Sequence, residues 1–251
     1  MAENNITEQL QRQFKGRKFF SRKELYALFR QLKPEMKDAT LRWIIYNLKK
    51  KGLITSISKE YFTLSFKSAY KPKIDKTTKK IYVSVEKQFT SLKFCIWSTQ
   101  ILSEFMIHIP VKHFTVLQVE KEALEPVYEF LKGEKIGDIF IQPEEKEIDR
   151  YLNESNKAIL LLPLVTKSPI QKINNTVTIT LEKLIVDVYA DKKIFAAFQG
   201  GELVHIINNA YNRYAIDFTK LFYYAKRRRK DIELRELFSQ KTDIPNDILN
   251  D

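Results

Sequence analysis

The side chains best suited to chemistry fall between Thr40 and Lys59. Arg42 and Asn47 carry the donor and acceptor patterns that match base edges in a DNA major groove, arginine to guanine and asparagine to adenine. At helical spacing they share one face with Thr40, Trp43 and Tyr46. Lys49, Lys50 and Lys51 follow at the end of the same segment, and Lys59 lies in a polar tip between two β-favouring stretches. Lysines so placed grip phosphates, which position a protein without reading sequence. The pattern implies duplex DNA as a partner. The alternative for Trp43 and Tyr46 is packing against the rest of the chain.

A second concentration of cations is KRRRK, namely Lys226, Arg227, Arg228, Arg229 and Lys230, with Arg213 on the preceding helix. It is expected either to touch flanking phosphates or to meet an acidic protein surface. Asp231, Glu233 and Glu236 follow it and also permit a plain solvated turn.

Constellations for catalysis are missing from the pattern. His108, His113 and His205 match no metal-ligand spacing, six glycines form no phosphate loop, and no nucleophile elbow occurs. The expectation is therefore no catalytic residue, no metal and no cofactor. One enzymatic alternative is a metal-dependent nuclease built on Asp138, Glu144 and Lys146. Against it, PEEKEIDRYL reads as a helix start, with Pro143 in the first turn and acids favoured by the dipole.

Charge location sharpens the DNA expectation. Residues 1–80 hold 20 Lys and Arg against 7 acids, a net +13, whereas residues 81–251 hold 23 against 24, a net −1. A basic module beside a neutral one suggests that the first meets a polyanion, while the second meets a protein partner or another copy of itself as a homodimer. The polar start Met1 to Gln13 and the shortness of every apolar run predict neither signal peptide nor membrane span, and hence a cytoplasmic protein. A single cysteine, Cys95, in the apolar run Leu92 to Trp97, suits a reducing compartment and a buried position.

The elements needed to position these residues can be read from periodicity. Ile6, Leu10 and Phe14 predict a helix from about Thr7. Ser21 with Glu24 forms a capping box that starts a second helix, ending before Pro34. Asp38 is expected to cap a third helix that Gly52 terminates, with Leu41, Ile44, Ile45 and Leu48 facing a core. A hairpin from Leu53 to Phe66 follows. Helices followed by a hairpin, with a basic third helix, make a winged helix-turn-helix over residues 1–66. Residues 67–80 form a basic linker, and residues 81–251 an α/β (α+β) domain with a mixed sheet and a helical C-terminal cap. Strands are expected at Ile81–Val85, Leu92–Trp97, Phe114–Val119, Asp138–Gln142 and Ala158–Leu164. Helices are expected at Gln100–His108, Glu122–Leu131, Glu144–Leu152 and Leu181–Ala190, then from Ile194 to Ser239 with breaks near Gly200 and Ile216. In the helix that Thr180 caps, Leu181, Leu184, Ile185 and Val188 form the core stripe, leaving Glu182, Lys183 and Asp187 most simply as solvent charges, with partner contact or a buried ion pair as the alternatives.

The segments LRWIIYNLKKKGLI (Leu41 to Ile54) and TITLEKLIVDVYAD (Thr178 to Asp191), with CIWSTQILSEFM (Cys95 to Met106), resemble segments of the AbiEi antitoxins of type IV, abortive-infection toxin–antitoxin systems. The resemblance implies a DNA-binding transcriptional autorepressor whose C-terminal domain counters a nucleotidyltransferase-type toxin encoded nearby. The basic linker and the stretch from Phe105 to Leu164 depart from that pattern, which keeps a stand-alone winged-helix regulator as the alternative.

Overall fold

The computed structural model describes residues 2–64, 67–148, 155 and 157–249. Helix α1 (Ala2–Phe14) starts ahead of the expected Thr7 and buries Leu10 and Phe14. After the short strand β1 (Phe20–Ser21), the predicted capping box starts α2 (Arg22–Leu32). The Glu24 N–H donates to Ser21 Oγ at 3.2 Å, and the Ser21 N–H donates to the Glu24 carboxylate at 2.7 Å. Helix α3 (Asp38–Lys50) begins at Asp38 rather than being capped by it. Lys37 occupies the cap position, and the Asp38 carboxylate is taken by Arg30 at 2.6 Å. Its end is a Schellman turn: the Leu53 N–H reaches the Leu48 carbonyl and the Gly52 N–H reaches that of Lys49, with Gly52 at φ 69°. A side chain there would carry the strain of left-handed backbone.

Strands β2 (Thr55–Ser56) and β3 (Tyr61–Thr63) form the expected hairpin, and β1 adds to the free side of β3 in the order β1-β3-β2, Phe20 facing Phe62. The three helices and this sheet close on Phe14, Phe20, Phe29, Leu41, Ile45 and Phe62, with the Phe14 and Phe20 rings stacked 4.1 Å apart.

The segment expected to be a basic linker carries regular structure. Ser68–Ala69 form β4, and α4 (Lys76–Gln88) begins inside it, with Asp75 accepting the Thr78 N–H at 2.8 Å. The strand expected at Ile81–Val85 is the middle of this helix. Thr78, Ile81, Tyr82 and Val85 recur at helical spacing on one buried face, and the capped helix overrides the strand preference of valine and tyrosine.

Strand β5 (Phe94–Ser98) leads into a 3₁₀ segment, Thr99–Glu104, in place of the longer helix expected to His108. The Glu104 and Phe105 carbonyls accept from Arg213 at 2.6 Å and Asn209 at 2.7 Å, side chains of a later helix, which ends the turn there. Then come β6 (Thr115–Val119), α5 (Leu124–Gly133), β7 (Asp138–Ile141), the short α6 (Glu145–Glu147) and β8 (Ala158–Pro163). Of the helix expected over Glu144–Leu152, residues 149–152 lie outside the described ones. Strands β9 (Ile170–Ile173) and β10 (Thr176–Ile179) form a hairpin not anticipated from sequence. Its two-residue loop, Asn174 and Asn175, has φ 46° and 64°, the positive values a type I′ turn requires.

The rest is helical, as expected, apart from one short strand. Helix α7 (Leu181–Ala190) is followed by α8 (Gly201–Arg213), β11 (Tyr214–Ala215), α9 (Phe218–Arg227), α10 (Asp231–Lys241) and α11 (Asn246–Leu249), and β11 pairs in parallel with β4.

The main sheet is mixed, in the order β5-β6-β8-β7, with β6, β7 and β8 parallel and β5 antiparallel at the edge. Alternation sends Phe94, Ile96, Leu117, Val119, Ile159 and Leu161 to a core under α4 and α5. Cys95, Trp97, Val116, Leu160 and Leu162 face the opposite core, formed with α7 to α11. Covering both faces explains why these strands read as unbroken apolar runs. The fold is thus mixed α/β with several small sheets. No described helix is long and apolar enough to cross a membrane.

Candidate nucleic-acid interface

Helix α3 divides its side chains by angle. Leu41, Ile45 and Leu48 are buried and Ile44 half-buried, while Trp43 and Tyr46 are each 62% exposed. Thr40, Arg42, Lys49, Lys50 and Lys51 are exposed beside them and Asn47 is half-buried. The alternative of Trp43 and Tyr46 packing on the C-terminal part does not hold. Leaving two large aromatic rings in water forgoes the burial that would otherwise stabilise the fold.

The local electrostatics concentrate positive charge here. Acids of this module are answered by arginines: Glu24 by Arg17 at 2.7 Å, Glu60 by Arg22 at 3.5 Å and Asp38 by Arg30 at 2.6 Å. Glu24 is held below its ordinary range, because hydrogen bonds from Ser21 and Arg17 outweigh the upward push of burial. No acid pairs with Arg42, Lys49, Lys50 or Lys59 among the described residues, so these cations stay available to a polyanion.

Lys59 is exposed at the hairpin tip, whose backbone is tied down. Its carbonyl accepts from Arg22, and the Phe218 N–H donates to the Ile57 carbonyl at 2.8 Å. Phe19 and Ile57 also pack against the large C-terminal core.

The second basic cluster does not extend this face. Helix α9 begins at the hairpin contact and is about 15 Å long, which carries Lys226 to Lys230 to its far end. Arg228 turns inward to Asp191 at 2.7 Å and Asp187 at 3.9 Å and is a structural residue, contrary to the expected surface contact. Arg227 donates to Thr166, Lys230 pairs with Glu233 at 2.9 Å, and Arg213 donates to the Glu104 carbonyl. Lys226 and Arg229 are exposed.

The charges of α7, read first as solvent-facing with a buried ion pair as an alternative, follow the alternative. Glu182, Lys183 and Asp187, expected in solvent, are all buried, Lys183 at 0% and Asp187 at 1% exposure. Lys183 Nζ sits 2.6 Å from Asp187 Oδ2 and donates to the Tyr224 hydroxyl at 3.0 Å. That hydroxyl donates to Asp187 Oδ1 at 2.7 Å, and the Gln118 amide adds a bond at 3.2 Å. Glu182 accepts the Asp217 N–H at 3.0 Å, fixing the start of α9. Burial alone would raise the Asp187 carboxyl. Lys183, Arg228 and the hydrogen bonds from Lys183 and Tyr224 outweigh it and hold the group below the usual carboxylate range. Asp191, where burial prevails over Arg228, moves up instead. A usable signal was present: Val186 and Tyr189 fill the positions between the core stripe, making α7 apolar nearly all round, the mark of a buried helix.

The nuclease alternative finds little geometric support. Asp138 starts β7 and accepts from Ser155 at 2.7 Å, whereas Glu144 and Lys146 lie beyond the other end of that strand and line a different cleft. Among the described residues no three His, Cys, Asp or Glu side chains cluster as a metal site. Cys95 is fully buried, and that burial pushes its thiol up to about 12. His108 is exposed, with Nδ1 2.6 Å from Glu202, whose carboxylate also accepts the Ile107 and His108 N–H groups. His205 is exposed and His113 half-buried.

A family of unknown function, DUF6577, matches residues 40–244, from the first turn of α3 across the connector to just past α10. No curated protein matches the chain.

Proposed function

The chain belongs to DUF6577, and we propose that it is a DNA-binding transcriptional repressor whose residues 1–66 act as a winged helix-turn-helix, with α3 in the major groove. The observation that supports this most is the exposed face of α3, where Trp43 and Tyr46 stand in solvent beside Asn47 and beside Arg42, Lys49 and Lys50, three cations with no acid paired to them among the described residues. In this reading Arg42 and Asn47 read base edges while Thr40, Lys49, Lys50, Lys51 and Lys59 fix the phosphates. The β2–β3 hairpin is the wing.

The test is an electrophoretic shift or fluorescence titration with duplex from upstream of the chain's own gene, over a series of salt concentrations. Affinity is expected to fall steeply with salt, since each neutralised phosphate releases counterions, and Lys50→Ala should make the log–log slope shallower by about one. Binding that is absent, or indifferent to salt, overturns the proposal.

The resemblance to AbiEi antitoxins extends the proposal to autorepression and to residues 81–251 countering a toxin encoded nearby. In this chain the segment Thr178 to Asp191 forms the end of β10 and the buried α7, so it supports a shared internal architecture rather than a shared toxin-binding surface. Co-expression of the full chain with a neighbouring nucleotidyltransferase gene should relieve the growth arrest which that gene causes. Persistent arrest leaves the regulator without an antitoxin role.

A further inference from the structure

Where the hairpin leans on the C-terminal part, the two surfaces do not close completely. A cleft of about 580 Å³ remains between β2 and β3 on one side and the junction of α8, β11 and α9 on the other. Its size falls within the range of about 300–1,000 Å³ usual for small-molecule sites, and such sites favour the seam between two modules.

The lining is selective in character. Lys18 and Lys67 both face it, the first from the loop before β1, the second from the connector. Lys67 is half-buried, its ammonium 4.1 Å from the centre of the Tyr211 ring and donating to the Tyr211 carbonyl. Burial, and then repulsion from Lys18, push the Lys67 ammonium below its ordinary range, so the two cations share one neighbourhood with no acid between them to relieve it. Asp243 is the one acid among the lining residues; the cleft therefore keeps a net positive charge while offering an acceptor to a hydroxyl or amino group. Tyr211, Tyr214 and Phe218 supply flat apolar walls.

We propose that this cleft is a binding site for a small phosphorylated ligand of the mononucleotide class, its phosphate bridging Lys18 and Lys67 and its ring lying against the aromatic wall. The chemistry follows from the lining. Two ammonium groups suit a dianion better than a monocarboxylate, and a charge-assisted hydrogen bond to each contributes more than a neutral one. The occupant touches both modules at once, which makes it a brace across the seam. The site draws nothing from the DNA reading, and its test contains no DNA.

The experiment is calorimetric titration of the full chain with AMP, with inorganic phosphate and with adenosine, repeated on Lys67→Met and Lys18→Ala. AMP is expected to bind, inorganic phosphate to compete with it, and adenosine to bind at least about tenfold more weakly. Each substitution should weaken AMP by about tenfold or more, as expected for loss of one charged hydrogen bond. Lys67→Met removes the ammonium while keeping a long unbranched side chain, and Lys18 is exposed, so that a variant with an unshifted melting temperature reports on binding alone; if Lys67→Met unfolds, Lys18→Ala decides. No binding of AMP or phosphate up to about 10 mM, adenosine binding as tightly as AMP, or AMP binding unchanged in the variants each overturns the proposal.

Discussion

Removing Asp187 tests whether the cluster beneath the sheet is held by paired charge. In Asp187→Ala, Lys183 stays fully buried and keeps only the Tyr224 hydroxyl at 3.0 Å, while Arg228 retains Asp191. An ammonium stranded in apolar surroundings costs about 3–5 kcal/mol. For a chain of this size that corresponds to a fall in melting temperature of roughly 6–20 °C. The triple variant Lys183→Met, Asp187→Leu, Tyr224→Phe removes the charges together and strands no charge, only the Gln118 amide losing its partner, so it should stay within about 2 kcal/mol of the wild type. Urea denaturation followed by circular dichroism measures both. Acid supplies a further check. The folded carboxyl lies below the value of about 3.9 that an unfolded aspartate shows, so the pair's contribution is complete above roughly pH 4 and is lost as pH falls through the lower, folded value. The gap between wild type and Asp187→Ala should therefore be flat from neutral pH down to that point and narrow below it. A loss under about 1 kcal/mol for the single variant, or a triple variant as damaged as the single one, refutes the reasoning.

Four other predictions address the N-terminal module and the sheet. Ser21→Ala removes the acceptor for the Glu24 N–H and should cost about 1 kcal/mol in denaturation, with Ser21→Asp recovering most of it. Gly52→Ala places a side chain at φ 69° and should cost about 1–2 kcal/mol, loosening the C-terminal end of α3; hydrogen exchange at Leu53 and Gly52 would rise. The two tryptophans divide cleanly, Trp43 at 62% exposure and Trp97 at 1%, so acrylamide should quench the wild type strongly and Trp43→Phe weakly. Cys95, whose thiol sits at about 12, should ignore a disulfide reagent at pH 8 until denaturant is added, and prompt labelling of the folded chain would contradict its burial.

Much of this protein is local and was therefore legible in its residues. The capping box at Ser21 and Glu24, the glycine stop after α3, the Leu41–Ile45–Leu48 stripe, and the Thr180 cap of α7 all depend on neighbours within one turn, and each stands where the spacing placed it. The core strands Phe94–Ser98, Thr115–Val119 and Ala158–Pro163 were equally readable, because burial on both faces demands unbroken apolar runs. The basic face of α3 followed from the same angular arithmetic. Other features depend on distant partners. Ile81–Val85 is helix rather than strand because Asp75 caps it and the sheet takes one helical face. Residues 67–80 are no free tether because β11, some 145 positions later, pairs with Ser68 and Ala69. Lys183 and Asp187 read most simply as solvent charges, with a buried ion pair as an alternative, and Arg228 as part of a surface cluster. Only the folded chain brings Tyr224 and Gln118 to the first two and Asp191 to the third. The apolar flanks of α7 mark a buried helix, but a charge on it is tolerated only where a partner arrives across the fold, and spacing does not say which partner that is.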